Sequence, residues 1–164
     1  MFKNVYKNKK VIVTGHTGFK GSWLINYLNL LGARVYGISN NIPTKPSHFE
    51  VTKIKKKIKS FKLDIREAKK LNSIFLKTKP DFVFHLAAQG IVSKSIKDPH
   101  QTFTTNVIGT LNVLNSINNL SKIKKIISVI ITSDKCYENI ETNKGYLEND
   151  RLGGSDPYSA SKAS

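Results

Sequence analysis

Short apolar runs alternate along the chain with longer segments whose apolar residues recur at helical spacing. The first run, residues 11–14, is rich in β-branched residues and leads into a turn that contains several glycines. The next segment carries apolar residues at helical spacing and ends at Gly32. This order predicts a strand, a tight turn and a helix, followed by a second strand over Arg34–Ser39.

The alternation continues through the rest of the chain after an excursion at 40–50 that contains two prolines. Later runs are apolar and β-branched, and the last two are apolar enough for strands buried on both faces of a sheet. The third, fourth and fifth strands are predicted within 60–66, 81–88 and 124–133.

Helices are predicted between these strands. A short helix is expected within 49–59, and Pro80 ends the helix that starts near Arg66. The helix predicted at 100–120 carries an apolar stripe through Val107, Leu111 and Leu114. Such alternation is typical of βαβ units. It predicts one α/β domain over residues 1–164, a Rossmann-type doubly wound parallel sheet with right-handed crossovers.

The glycine turn is the first candidate for chemistry. Gly15 allows a sharp turn after the strand, Gly18 lets backbone N–H groups approach phosphate oxygens, and Gly21 allows the helix to pack closely on the strand. The helix N-terminus then stabilises an anion. The turn therefore predicts the pyrophosphate site of a nicotinamide dinucleotide, with a purely structural glycine turn as the alternative.

The end of the second strand bears on the choice of cofactor. An acidic residue often binds the adenosine ribose there, but this chain has Ser39 and Asn40 and no arginine. Either side chain can bond a 2′-hydroxyl, whereas a 2′-phosphate prefers a guanidinium, so NAD is predicted rather than NADP. Asp64 is expected either to reach the adenine or to cap the helix that begins near Arg66.

A second candidate lies at the end of the chain. Tyr158 and Lys162 are spaced i, i+4, so that both project from one helical face. A lysine ammonium favours the phenolate of a nearby tyrosine, which can then deprotonate a sugar hydroxyl, and Ser133 could bond the same hydroxyl. By itself this spacing is common and more typical of an ordinary surface helix. Its position after the predicted sheet, and after a strand that ends in hydroxyl residues, favours the catalytic interpretation.

Composition narrows the setting. The single cysteine, Cys136, rules out an intramolecular disulfide, and no segment has the roughly 20 apolar residues of a membrane span, so a soluble cytoplasmic protein is expected. The net charge of +16 rests mainly on lysine in a chain also rich in Asn and Ile, as an A+T-rich gene would encode, and no nucleic-acid site is inferred.

His85 is expected to be a packed strand-end residue rather than a base. The other histidines have no partners at ligand spacing, so no metal is expected: His16, His48 and His100.

Taken together, the motifs VTGHTGFKG, LDIR, HLAAQ, NVIGT, TSDK and YSASK occur in the order seen in extended short-chain dehydrogenases/reductases that act on sugar nucleotides. The chain resembles this family over essentially its whole length. HTGFKGSWL, PTKPSHFE, TSDKCYEN and GYLENDRLGGSDPYSASK are similar to the CDP-glucose 4,6-dehydratase branch in particular. Related dehydratases for other nucleotide sugars carry Asp-Glu where this chain has Asp134 and Lys135.

The resemblance implies a hydro-lyase (EC 4.2.1.45) with a tightly bound, internally recycled NAD, acting in nucleotide-sugar and O-antigen biosynthesis. Tyr158 would assist oxidation at C4 of the sugar, Asp134 would protonate the departing C6 hydroxyl, and Lys135 would handle the C5 proton. The catalytic residues implied are Ser133, Asp134, Lys135, Tyr158 and Lys162. The cofactor-binding residues implied are Gly15, Thr17, Gly18, Phe19, Lys20, Gly21, Ser39, Asn40, Asp64, Ile65, Leu86, Ala87, Ala88, Gln89, Asn106, Thr132, Tyr158 and Lys162.

The resemblance also implies what this chain lacks. Family members continue for roughly as much chain again, with the last strands and a sugar-nucleotide-binding domain, so an incomplete Rossmann domain is predicted. CDP-glucose is the implied substrate and a homodimer the implied assembly of the full-length family. The alternatives are an inactive fragment that at most binds NAD, and a dehydratase or epimerase for another sugar nucleotide.

Overall fold

The computed structural model describes residues 2–141 and 143–164 and contains one five-stranded sheet. Every neighbouring pair of strands is parallel. The order across the sheet is β3, β2, β1, β4, β5, which confirms the predicted doubly wound topology. The strands are β1 Lys10–Thr14, β2 Arg34–Ser39, β3 Lys59–Lys62, β4 Phe82–His85 and β5 Ile127–Ile130.

Helices connect the strands. The α-helices are α1 Phe19–Leu30, α2 His48–Val51, α3 Ala68–Thr78, α4 Val92–Lys97, α5 Pro99–Phe103, α6 Gly109–Ser121 and α7 Pro157–Ala163. One π-helical turn, Thr104–Ile108, joins α5 to α6, and short 3-10 turns lie at Phe2–Asn4, Ile54–Lys57 and Asp134–Cys136.

The apolar run of β1 supplies both faces of the core, because successive side chains of a strand point to opposite sides. Val11 and Val13 pack on the side of α1, together with Ile25. Ile12 faces the other side and packs in a cluster with residues of α3 and α6, among them Phe75 and Val113. The sheet is therefore covered on both faces around β1, and the crevice between β1, β2 and β4 opens at their carboxyl ends.

Two predicted elements differ from those in the structure. The predicted short helix at 49–59 is divided into α2 and a 3-10 turn, because Lys53 between them adopts a left-handed conformation with φ 53°. β5 was predicted to be buried on both faces, and this is wrong: its residues are exposed or half-buried, with Ile127 50% exposed. β5 is an edge strand, so no neighbouring strand lies on its outer side in the described chain.

The face of α6 that packs on the sheet also differs from the predicted stripe. Leu111 and Leu114 are 49% and 43% exposed, whereas Gly109, Val113 and Leu120 are buried. A Cβ on Gly109 would lie 2.5 Å from Cδ1 of Ile65, so α6 approaches its neighbours through its small residues and leaves the leucines outside. In the part of the chain that the structure describes, no helix is long and apolar enough to cross a membrane.

Candidate active site

A cavity of about 340 Å³ occupies the crevice at the carboxyl ends of β1, β2 and β4. This is within the range of small-molecule sites, and its position is the ligand-binding crevice of doubly wound sheets. Eleven of the predicted cofactor residues line it: Gly15, Thr17, Gly18, Ser39, Asn40, Asp64, Ile65, Leu86, Ala87, Ala88 and Gln89. The remaining predicted cofactor residues do not line it: Phe19, Lys20, Gly21, Asn106, Thr132, Tyr158 and Lys162.

Several residues that line the cavity were not predicted from the sequence. Some adjoin predicted positions, as Asn41 adjoins Asn40, and could have been inferred from that neighbourhood. Others belong to α4 and α5 or to the turns around them, which no motif marked. The missed residues are Asn41, Pro43, Leu63, Gly90, Ile91, Lys94, Gln101 and Thr105.

The glycine turn is shaped by two close approaches. Gly15 has φ +72°, and a Cβ there would lie 2.7 Å from the backbone nitrogen of Ala87. A Cβ on Gly21 would overlap the carbonyl oxygen of Gly15. Gly18 is the N-cap of α1, and no side chain caps it, which leaves the first-turn N–H groups available to an anion. Phe19 and Lys20 lie on this first turn as exposed side chains.

The side chains beside the turn are already bonded within the protein. The Thr17 hydroxyl donates to the carbonyl of Asn41 at 2.6 Å, and the Ser39 hydroxyl lies 2.9 Å from Nδ1 of His16. Nε2 of His16 lies 2.8 Å from the hydroxyl of Ser60. Burial of His16 lowers its pKa to about 4, so the ring is neutral near pH 7. Ser39 is therefore engaged by His16, and Asn40 is the more exposed of the two predicted ribose partners.

Asp64 lines the cavity and also closes a local turn. Its carboxylate accepts hydrogen bonds from the backbone nitrogen of Arg66 at 2.9 Å and from the Arg66 guanidinium at 2.8 and 3.0 Å. The guanidinium holds the pKa of Asp64 below its ordinary value. α3 begins later, at Ala68, with Glu67 as its N-cap. The predicted capping of the helix by Asp64 is therefore wrong, because Asp64 bonds Arg66 in the turn that precedes α3.

The loop after β4, residues 86–89, forms the floor of the cavity and is held from below. The Thr14 hydroxyl accepts hydrogen bonds from the backbone nitrogens of Leu86 and Ala87, each at 3.2 Å. The Asn106 amide accepts from the backbone nitrogen of Gln89 at 2.8 Å and donates to its carbonyl at 3.0 Å. Asn106 therefore lies behind the floor rather than in the cavity.

The predicted catalytic residues lie beyond the end of β5 and on α7. The Ser133 hydroxyl is the N-terminal cap of the 3-10 turn that contains Asp134 and Lys135, both exposed. Tyr158 and Lys162 are half-buried on α7, which packs against this turn and against α4 and α5. The structure thus brings Ser133, Asp134, Lys135 and the two residues of α7 to one end of the sheet.

Lys162 is tied to the sheet in this structure. Its ammonium donates to the carbonyl of Ile131, just past β5, at 2.7 Å. Burial is the main cause that lowers the pKa of Lys162, and the neighbouring Cys136 acts in the opposite direction. Lys162 and Tyr158 stand one helical turn apart on α7, so their side chains project from the same side of this helix.

The remaining histidines have ordinary structural partners or lie on the surface. Nδ1 of His48 lies 2.9 Å from the Ser22 hydroxyl, and its ring stacks on Trp23. His100 is exposed at the start of α5. Among the described residues, no group of three or more His, Cys, Asp or Glu side chains is placed to hold a metal ion.

The model of the family described as GDP-mannose 4,6 dehydratase matches residues 12–164. The chain belongs to this family. The match covers the glycine turn, the floor of the cavity and the residues of α7.

Curated relatives and solved structures agree with the family assignment. The chain is 46% identical over 160 residues to the CDP-glucose 4,6-dehydratase of Salmonella typhimurium, covering 98% of this chain and 44% of that protein. It is 34% identical over 102 residues to a UDP-glucose 4-epimerase of Mycolicibacterium smegmatis, covering 62% of this chain and 32% of that protein. The UDP-glucose 4-epimerase of Thermus thermophilus, solved as a complex with NAD, superposes with a TM-score of 0.77 at 28% identity, covering 94% of this chain and 47% of that one.

These comparisons confirm the resemblance to the CDP-glucose 4,6-dehydratases. The chain spans less than half the length of each of these relatives.

Proposed function

We propose that this chain carries the NAD-binding part of a CDP-glucose 4,6-dehydratase. The observation that supports this most is the cavity at the crevice of the sheet, whose turn leaves no space for a side chain on Gly15 or Gly21. The 46% identity to the Salmonella typhimurium CDP-glucose 4,6-dehydratase favours that sugar nucleotide over others.

The chain's residues fit NAD. The N-terminus of α1 offers uncapped N–H groups to a pyrophosphate, and Asn40 lies exposed where the adenosine ribose would bind. Among the residues that line the cavity, Lys94 is the basic side chain and Asp64 the acidic one, so no pair of guanidinium groups favours a 2′-phosphate. NAD would accept a hydride from C4 of the sugar and return it to C6.

The proposed roles of the catalytic residues follow the proton movements. Tyr158 would take the proton of the C4 hydroxyl, with the Lys162 ammonium stabilising the phenolate and Ser133 bonding the same oxygen. Lys135 would remove the C5 proton and Asp134 would protonate the C6 hydroxyl, so that water leaves. Return of the hydride to C6 and of the proton from Lys135 to C5 would give the 4-keto-6-deoxy sugar. The proton gained by Tyr158 would balance, through solvent, the proton lost by Asp134.

A second candidate is a chain that binds NAD without catalysing the reaction. It is favoured by the exposure of Asp134 and Lys135 and by the hydrogen bond that holds Lys162 to Ile131. The homodimer and the cytoplasmic location implied by the family resemblance stay predictions.

Both candidate functions require that the chain binds NAD, and calorimetric titration of the purified chain with NAD tests this. We expect Gly21→Ala to weaken binding by at least about tenfold, because the added methyl group displaces the turn. Gly145→Ala is the matched control, since a Cβ there meets nothing within 4 Å. Equal affinities of the two variants would contradict the proposed pyrophosphate site.

Incubation with NAD and CDP-glucose separates the candidates. A 4-keto product, detected by its absorbance in alkali, would support the dehydratase, and its loss in Tyr158→Phe would place that hydroxyl in the reaction. NAD binding without product would favour the second candidate.

A further inference from the structure

His85 lies at the carboxyl end of β4, directly before the floor of the cavity, and is 3% exposed. Both of its ring nitrogens have a hydroxyl partner. Nδ1 lies 2.6 Å from the Thr14 hydroxyl, and Nε2 lies 2.9 Å from the Thr110 hydroxyl. The ring therefore bridges β1 and α6 beneath the cavity.

The direction of each hydrogen bond can be deduced from the partners of the two threonines. The Thr14 hydroxyl accepts from the backbone nitrogens of Leu86 and Ala87, so its own hydrogen is left for Nδ1 of His85. The Thr110 hydroxyl donates to the backbone carbonyl of Asn106 at 2.6 Å, so it must accept from Nε2. The Thr14 end requires Nδ1 without a hydrogen, and the Thr110 end requires a hydrogen on Nε2. Together they specify the neutral ring in its Nε2–H form.

These hydrogen bonds lead from His85 through Thr110 to Asn106, and Asn106 also connects the cavity floor to α7. The side chain of Asn106 brackets the backbone of Gln89, and its amide also donates to the Ser161 hydroxyl at 2.8 Å. Ser161 in turn donates to the backbone carbonyl of Tyr158 at 2.7 Å. The Asn106 turn is thus connected on one side to His85 and on the other to the helix that carries Tyr158 and Lys162.

We propose that His85 is a positioning residue that, as the neutral Nε2–H tautomer, aligns the cavity floor with Asn106 and hence with the catalytic helix. A second hydrogen on Nδ1 would compete with the Thr14 hydroxyl and release a backbone N–H from it. Burial, together with the charge of Lys162, lowers the pKa of His85 to about 4, which keeps the ring in the required form near pH 7. The functional consequence rests on the proposed binding of NAD.

The tautomer is tested directly by long-range ¹H–¹⁵N correlation spectra of the chain labelled on its histidine nitrogens. His85 is assigned by the signal lost in His85→Phe. We expect the Nε2–H pattern at pH 7, unchanged down to about pH 5. An Nδ1–H pattern, or a doubly protonated ring at pH 7, would overturn the proposal. If His85→Phe does not fold, Thr110→Val assigns the ring instead, because it removes the partner of Nε2.

The positioning role is tested on α6, which offers a matched pair of sites. Thr110 and Ser116 each donate to the carbonyl four residues earlier, Ser116 to Asn112 at 2.8 Å, but only Thr110 contacts a histidine. We expect Thr110→Val to weaken NAD binding and to lower the protection of the Gln89 amide from hydrogen exchange, each by about tenfold. Thr110→Ser, which keeps the hydroxyl, should restore both to within about twofold, and Ser116→Ala should change neither.

The two readouts separate this inference from the proposed function. If the unmodified chain does not bind NAD, the proposed function fails, while the tautomer and the Gln89 amide still decide the role of His85. If Thr110→Val and Ser116→Ala behave alike, His85 is a satisfied core residue and the inference is wrong.

Discussion

Strands β1 and β5 are both short, apolar and parallel to their neighbours, yet they differ in burial. Val11, Ile12 and Val13 of β1 are 0% exposed, whereas Ile127 and Val129 of β5 are 50% and 41% exposed. β1 lies between β2 and β4 with helices on both faces, while β5 lies at the edge. The apolar pattern of a strand thus predicts that it can be buried, and its place in the sheet decides whether it is.

The proposed cofactor site and the proposed catalytic residues differ in burial in the same way as β1 and β5. The glycine turn and the cavity floor lie on the buried strands and are held by hydrogen bonds such as that from Leu86 to Thr14. Asp134 and Lys135, which follow β5, are exposed. Pre-organisation is therefore greater at the proposed cofactor site than at the proposed catalytic residues.

The largest expected effect is on the core under the central strands. Phe75 is 0% exposed, and Phe75→Ala should lower the free energy of unfolding by about 3–5 kcal/mol, because it removes apolar contacts and leaves a cavity. Urea denaturation measures the change. The neighbouring Leu76, which is 40% exposed, gives the control: Leu76→Ala should cost less than about 1 kcal/mol. Similar costs for both would contradict the described burial of α3.

The stability of the folded chain should depend on pH because of two buried histidines beside the proposed cofactor site. His16 and His85 have pKa values of about 4 in the folded chain, below the ordinary value of about 6.5. Between those values the unfolded chain binds more protons, so stability is full above about pH 6.5 and is lost as the pH falls toward 4. Each histidine contributes up to about 1.4 kcal/mol per pH unit.

Urea denaturation across pH 4 to 7 measures this slope. His85→Phe should reduce the slope between about pH 5 and 7 by about half, whatever its effect on stability at pH 7, because His16 is then the remaining histidine with a pKa lowered to about 4. His100→Gln, which changes an exposed histidine, should leave it unaltered. An unchanged slope in His85→Phe would show that His85 is not neutral in the folded chain.

A smaller effect is expected at α7, the helix that carries the proposed catalytic residues Tyr158 and Lys162. Asp156 is the N-cap of α7, and its carboxylate accepts from the backbone nitrogen of Ser159 at 3.0 Å. Asp156→Ala should cost about 1 kcal/mol and speed the hydrogen exchange of α7 amides, whereas Asp156→Asn, which retains a capping oxygen, should stay within about 0.5 kcal/mol. Equal exchange in the two variants would mean that the cap does not hold this helix.

The smallest effect is expected on β5 itself. Ile127 and Phe82 are paired in register, and Val83 follows Phe82 on the buried strand. Ile127→Thr should change the free energy of unfolding by less than about 0.5 kcal/mol, while Val83→Thr, which buries a hydroxyl, should cost about 1–3 kcal/mol. A large cost for Ile127→Thr would show that β5 is covered by another chain in solution, which sedimentation would then detect.

Local rules were sufficient for the elements around β1. The glycine turn predicted the start of α1, and β2 has the bounds that its apolar run predicted, Arg34–Ser39. The burial of β5 and the inward face of α6 could not be predicted, because both depend on neighbours distant in sequence. Gly109 and Ser116 face inward since their small side chains permit close packing, which a pattern of apolar residues does not register.

The candidate site also combines residues that local sequence predicts with residues that depend on contacts distant in sequence. The glycine turn is a local structure, so Gly15, Gly18 and Gly21 could be named from spacing alone. Lys94 and Gln101 line the cavity only because α4 and α5 fold back over the floor, and no motif marks them. The partners of His85 are likewise far apart in sequence, so its hydrogen bonds became evident only from the folded chain.

The π-helical turn at Thr104–Ile108 holds one residue more than an α-helical turn would. Removal of one residue there should therefore convert it to an α-helical turn, with little change in how α5 and α6 face the sheet. The side chain that would change place is that of Asn106, which lies within the turn and brackets the backbone of Gln89. A one-codon deletion in this stretch should thus spare the fold and cost the contact between Asn106 and the cavity floor.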